Sequence, residues 1–165
     1  DREIVQVWQR IEHPGWQWIF GIMAAYGLRP HEIYSLHYEQ WPVLKTDKKT
    51  KTGTRLVWPV SPEGEDWVER FNLRHWNLPL VEGMVNRTNM DLGAKVGKGF
   101  LGVGIDTFTP YALRDRYAVR CAERGIDSAI ASRLMGHSIT VHCNAYLEYI
   151  DALSTNKIML SLNLP

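Results

Sequence analysis

The chain has 165 residues, 45% hydrophobic and 22% charged, with a formal net charge of +1. That is the size and composition of one packed domain, and it disfavours disorder, collagen-like or coiled-coil repeats and two independent catalytic modules. No apolar run approaches the roughly 18 to 20 residues of a membrane-spanning helix, and the acidic opening is unlike a signal peptide, so a chain without membrane association, working in the cytoplasm, is expected. Cys121 and Cys143 lack CxxC spacing and read as small buried thiols rather than zinc ligands or a disulfide. Because the first residue is Asp1 rather than Met, a fragment of a longer protein is expected.

Taken in chain order, residues 2–12 carry Ile4, Val5, Trp8 and Ile11 at helical spacing, and Pro14 opens a second apolar helix ending at Gly27. RPHEIYSL reads as a short third helix with Pro30 in its first turn. From Trp41 to Val60 the β-branched pattern, broken by TKTG, predicts a small sheet with a turn near Gly53. A helix is expected from Pro62 through Phe71, a loop over 75–85, and a glycine-containing helix over 86–101. Three helices come next: 110–124, stopped by Gly125; one capped by Asp127 and stopped by Gly136; and 139–151 behind Ser138. The fold class is therefore mainly α with a small antiparallel β-sheet.

Charge is unevenly distributed. Residues 45–55 hold Lys45, Lys48, Lys49, Lys51 and Arg55 against Asp47 alone, and residues 111–124 add Arg114, Arg116, Arg120 and Arg124. Such asymmetry suits one phosphate-facing surface, with two solvated faces as the alternative. Several motifs fall away. Residues 97–102 match GxGxxG but lack the preceding strand and following helix that a dinucleotide site needs. The glycosylation sequon at Asn86 is incidental, and His137 and His142, five apart, do not stack on one helical face as a metal pair.

Three stretches join a charged residue to strong helix punctuation. YGLRPHEIYSL holds Arg29 between a Gly–Leu and a Pro, where a guanidinium can be fixed for bidentate phosphate recognition. YALR places Arg114 in the first turn of a helix, three residues after Tyr111. LMGH puts His137 in a turn, with Tyr146 nine residues later on the next helix. Each also has an ordinary reading, as a surface ion pair or a partly buried core tyrosine.

In order and spacing these stretches, together with KTGTRLVWPV, resemble the catalytic domain of the tyrosine recombinases, the phage-integrase family, over about residues 16 to 150. The resemblance implies that Arg29, Arg114 and His137 hold the scissile phosphate and that Lys51 on the hairpin protonates the leaving 5′ oxygen. It also implies that Tyr146 attacks phosphorus to form a 3′-phosphotyrosine, with no metal or other cofactor. Lys48, Lys49, Arg55 and Arg116 are the expected DNA-binding residues. The departure is Tyr111, where most members carry His; a phenol can donate a hydrogen bond but is a poor base near neutrality. Further implications are double-stranded DNA as partner and self-assembly on it, as a tetramer in synapsis. Residues 1–165 would be one catalytic domain whose N-terminal core-binding domain lies elsewhere, and the apolar 152–165 segment would be exchanged between protomers. The expected function is site-specific recombination or integration. Type IB topoisomerase-like relaxation and a non-catalytic DNA-binding module of the same fold are the alternatives.

Overall fold

The computed structural model describes residues 1–47, 53–78, 87–146, 155–156 and 159–160. Helices α1 (Arg2–Arg10) and α2 (Pro14–Tyr26) lead into a 3-10 helix (Pro30–Ser35), followed by strands β1 (Leu36–Gln40), β2 (Val43–Thr46) and β3 (Arg55–Val57). A single turn, α3 (Trp67–Arg70), precedes α4 (Asn89–Gly102), α5 (Pro110–Glu123), α6 (Ser128–Met135) and α7 (Ile139–Tyr146). The class is as expected: mainly helical, with one antiparallel sheet in the order β1-β2-β3.

α2 is the axis of the core. His13 caps it, its Nδ1 accepting from the Gly15 and Trp16 amides at 3.2 and 3.3 Å, and Pro14 occupies the first turn, where no amide is needed. From Trp18 to Tyr26 every residue is buried, the pattern of a helix packed on all sides. A large apolar cluster forms around it, drawing in Ile4, Val57, Trp67, Val96, Phe100 and Leu113. A smaller cluster, of Val60, Tyr117, Ala118, Cys121, Ala131, Met135 and Tyr146, joins α5, α6 and α7. Burial there pushes the Cys121 thiol up to about 12, so it packs as an inert apolar group, whereas Cys143 is only half-buried.

Several sequence expectations are corrected. The sheet begins at Leu36, not Trp41: β1 runs through exposed His37, Tyr38, Glu39 and Gln40, an edge strand with no apolar alternation to reveal it. Tyr38 anchors it, donating to the Arg74 carbonyl at 2.8 Å and packing against Trp41 and Trp76. The helix expected from Pro62 shrinks to α3, because the chain turns at Gly64 and Asp66 starts a new cap by accepting from the Val68 and Glu69 amides. The 97–102 glycines lie inside α4, whose cap is Thr88 with Asp91, so they form no phosphate loop. Nor is the basic face of α5 uniformly presented to a ligand. Arg120 is fully buried, donating to the Val60 carbonyl at 2.7 Å and to the Ala24 carbonyl, and lying 4.3 Å over the Trp67 ring. The last helix is described only to Tyr146. Most of 152–165, with its expected exchange between protomers, lies outside the described residues. Among the described residues no helix is long and apolar enough to cross a membrane.

The exit from α2 fixes where Arg29 and the 3-10 helix begin. Gly27 closes α2 in the left-handed region (φ 62°), its amide bonding the Met23 carbonyl at 2.9 Å, and a Cβ there would stand 2.4 Å from the Tyr117 ring. Gly27→Ala therefore meets both backbone strain and a collision with a buried ring. We expect it to cost at least about 1–2 kcal/mol, read as a lowered denaturation midpoint.

Candidate active site

α6 ends with its final carbonyls unused by its own helix, as every α-helix does, and three arginines use them. Arg55 donates through Nε to the Leu134 carbonyl at 2.9 Å, Arg114 through Nη2 to Met135 at 2.5 Å, and Arg29 through Nη2 to Gly136 at 2.7 Å. The cations thus sit at the negative end of the helix dipole. Gly136 is left-handed (φ 69°), and a Cβ on it would stand 2.9 Å from the Arg55 side chain, so the glycine of the LMGH stretch makes room for that guanidinium.

Glu32 ties the arginines from below. It is fully buried and takes Arg55 in a fork, Nη1 to Oε1 at 2.5 Å and Nη2 to Oε2 at 2.7 Å. The Arg29 backbone amide donates to the same carboxylate at 2.8 Å and its Nη1 at 2.9 Å. Burial alone would raise this carboxyl, but the hydrogen bond and charge of Arg55, the Arg29 amide and the charge of Arg114 outweigh it and hold it down to about 2. Arg114, nearly out of solvent, also donates to the Gly27 carbonyl at 2.5 Å. Burial and then the charge of Arg29 press it down to about 10, which still leaves it protonated at neutral pH.

His137 comes directly after Gly136, and its Nε2 lies 3.3 Å from Nδ1 of His142. Burial first, then Arg114, His142, Arg29 and Arg55, lower His137 to about 4, so at neutral pH it is an uncharged imidazole able to donate one N–H. Tyr146 closes α7, buried, with its ring 5.7 Å from His137 and 5.1 Å from His142. Arg114 and Asp115, neighbours on α5, both act on its hydroxyl. Its ionisation is raised by burial first; Arg114 pulls it down and Asp115 pushes it up.

Four of the positions expected to be catalytic, Arg29, Arg114, His137 and Tyr146, therefore converge, and Arg55, expected at the DNA surface, is built into the same cluster. Lys48, Lys49 and Lys51 lie outside the described residues. Tyr111 is 52% exposed on the first turn of α5 and lines a groove with Pro30, His31 and Met90. Arg55 is 8% exposed and committed to Glu32 and Leu134, while Arg116 bonds Asp1 and Glu123, its Nη2 at 2.6 and 2.7 Å from their carboxylates. The sequence motifs gave no sign of Glu32, Asp115 and His142 as members of this cluster. Glu32 stands within RPHE, where nothing in the spacing assigns it a role. His142 is excluded by helical spacing alone, yet His137 precedes α7 and its ring reaches back to touch it.

No protein-family model matches the sequence. The solved structure of XerA recombinase superposes with a TM-score of 0.66 at 14% identity, covering 100% of this chain and 63% of that one. The chain thus has the fold of a tyrosine recombinase, and its resemblance to that family extends from the motifs to the architecture. In sequence it is 32% identical over 156 residues to Excisase C and 31% identical over 152 residues to Excisase A, both of Nostoc sp. (strain PCC 7120). These alignments cover 86% and 82% of this chain but only 30% and 31% of the two relatives' lengths.

The electrostatics of the cluster can be measured through two substitutions. Glu32→Gln strips the charge partner from Arg55 and Arg29; breaking a buried pair costs about 3–5 kcal/mol, to be measured as a fall in unfolding free energy in urea. His137 is lowered in the folded chain, so between about 6.5 and 4 the unfolded chain binds the proton that the folded chain refuses. Stability should thus be fully present above that window and fall as the pH drops through it. His137→Gln should flatten that part of the stability profile.

Proposed function

We propose that this chain is the catalytic part of a site-specific DNA recombinase that cleaves and rejoins strands through a 3′-phosphotyrosine. The observation that carries this reading is the cluster at the end of α6, where Arg29, Arg114 and an uncharged His137 meet, with the Tyr146 ring 5.7 Å from that histidine. A phosphodiester anion resists attack, so the reaction needs its charge met, a nucleophile aligned and the leaving alkoxide protonated. Arg29 spends two of its five donors on Glu32 and Gly136 and keeps the rest for non-bridging oxygens. His137 adds a neutral donor, and Tyr111, at the mouth of α5, supplies another from its exposed hydroxyl. As the Tyr146 oxygen bonds to phosphorus, the bond to the 5′ oxygen breaks and that oxygen takes its proton from Lys51. Return of a 5′-hydroxyl reverses the step without an external energy source.

Double-stranded DNA, met by Lys48 and Lys49, is the proposed partner, with assembly of several copies on it; Arg55 and Arg116, held by Glu32 and by Asp1 and Glu123, brace the fold instead. The names of the two Nostoc relatives favour excision as the direction of the reaction. Tyr146→Phe should bind a nicked suicide substrate as the parent chain does yet give no covalent protein–DNA band on a denaturing gel. A band surviving in the variant would remove Tyr146 from the nucleophile's role. Its absence from the parent chain would leave a binding module.

A further inference from the structure

His142 is a buried ring in the cluster to which the reaction above assigns no task. It lies on α7, 6% exposed, with its backbone amide donating to the Ser138 carbonyl at 3.0 Å. Its Nδ1 is 3.3 Å from His137 Nε2, the two rings stand nearly perpendicular at 87° with centroids 5.2 Å apart, and the Tyr146 ring lies 5.1 Å from it on the same helix. Among the described residues no other hydrogen bond reaches the His137 ring, so the direction of that imidazole is set by His142.

Burial first, and then the charge of Arg114, lower both histidines, so at neutral pH each is an uncharged imidazole with one N–H and one bare nitrogen. A contact between two ring nitrogens holds a single hydrogen, and the ring that supplies it decides what the far nitrogen of His137 can do. Were His137 the donor, its Nδ1 would be bare and would meet a phosphate oxygen lone pair against lone pair. With His142 as the donor, His137 keeps its own hydrogen on Nδ1 and has it to give. We propose that His142 is a positioning residue that donates its Nδ1–H to His137 Nε2 and thereby fixes His137 as the tautomer with hydrogen on Nδ1, the form that can donate to a scissile phosphate; this rests on the recombinase reading above. The device is that of a catalytic or metal-binding histidine whose second nitrogen is tied to a fixed partner, with an imidazole in place of the usual carboxylate or carbonyl. The groups facing the pair are Arg114 on α5, Arg29 before the 3-10 helix, Arg55 on β3 and Tyr146 at the end of α7. The cations among them keep a proton from adding to either ring, which preserves the one-hydrogen contact.

The test joins a spectroscopic arm to a kinetic one, using the parent chain, His142→Phe, which keeps a ring without a donor, and His142→Asn, whose amide nitrogen stands about where Nδ1 stood. Side-chain ¹⁵N–¹H correlation spectra at pH 7 should show His137 with its hydrogen on Nδ1 in the parent chain and in His142→Asn, and on Nε2 or divided between the two nitrogens in His142→Phe. In single-turnover cleavage of a nicked suicide duplex, His142→Phe should bind as the parent does and cleave on the order of 10²-fold more slowly, the loss expected when one transition-state donor is misdirected, and His142→Asn should recover most of that rate. In a His137→Ala background His142→Phe should slow cleavage no further, because its effect passes through His137. A parent chain with His137 protonated on Nε2 would overturn the proposal, as would a parental rate in His142→Phe or an undiminished effect of that substitution in the His137→Ala background. If His142→Phe does not fold, the parental tautomer and the rate of His142→Asn decide: an Asn variant that folds, binds DNA and still cleaves as slowly as His137→Ala would overturn it equally. A parent chain that forms no adduct fails the recombinase reading and the catalytic role of His142 with it; a cleaving parent whose His142→Phe variant keeps the parental tautomer and rate fails this proposal alone.

Discussion

The Glu32 carboxylate, held out of water between Arg29 and Arg55, is the contact on which the site depends, because it is the fully buried carboxylate that orders two of the arginines gathered above it. Glu32, with Asp115 beside Arg114, stands against three guanidiniums, and the end of α6 adds roughly half an elementary negative charge through the carbonyls of Leu134, Met135 and Gly136. Burial first, and then the neighbouring arginine charges, depress both Arg114 and His137, and a phosphodiester, which brings one negative charge, would offset those charges.

The same contacts explain why arginine, not lysine, occupies these positions. A guanidinium can spend some of its five donors on orientation and keep others for a ligand, whereas an ammonium on a flexible stem cannot be fixed in that way. Arg114 uses Gly27 and Met135, one from the exit of α2 and the other from the end of α6, so its direction is set by two elements already locked into the core. The ordering cost of the site is therefore met when the chain folds and not when a ligand arrives.

Much of this was legible in the sequence where the chain punctuates itself. Pro14, Gly27, Asp127 and Gly136 mark helix ends that the structure reproduces within a residue or two, and Arg29, Arg114, His137 and Tyr146 stand beside such marks. Less legible were features whose cause is tertiary. β1 is an exposed edge without alternation, and Arg120 reads as one more surface cation although its guanidinium is buried against Val60, Ala24 and Trp67. Glu32 has no helical partner pattern that betrays Arg55, 23 positions away, because their meeting requires the hairpin to fold over the 3-10 helix.

The departure at position 111 takes its meaning from the geometry of α5. Residues 111 and 115 are one turn apart and share a side of the helix, with Arg114 beside them. Tyr146 closes α7 within the smaller apolar cluster built on Tyr117, Met135 and Ala131, beside the Arg114 side of α5. Tyr111, one turn earlier, stands at the rim of a groove beside Pro30 and His31, so the phenol at that position faces solvent while Arg114 on the same helix turns into the core.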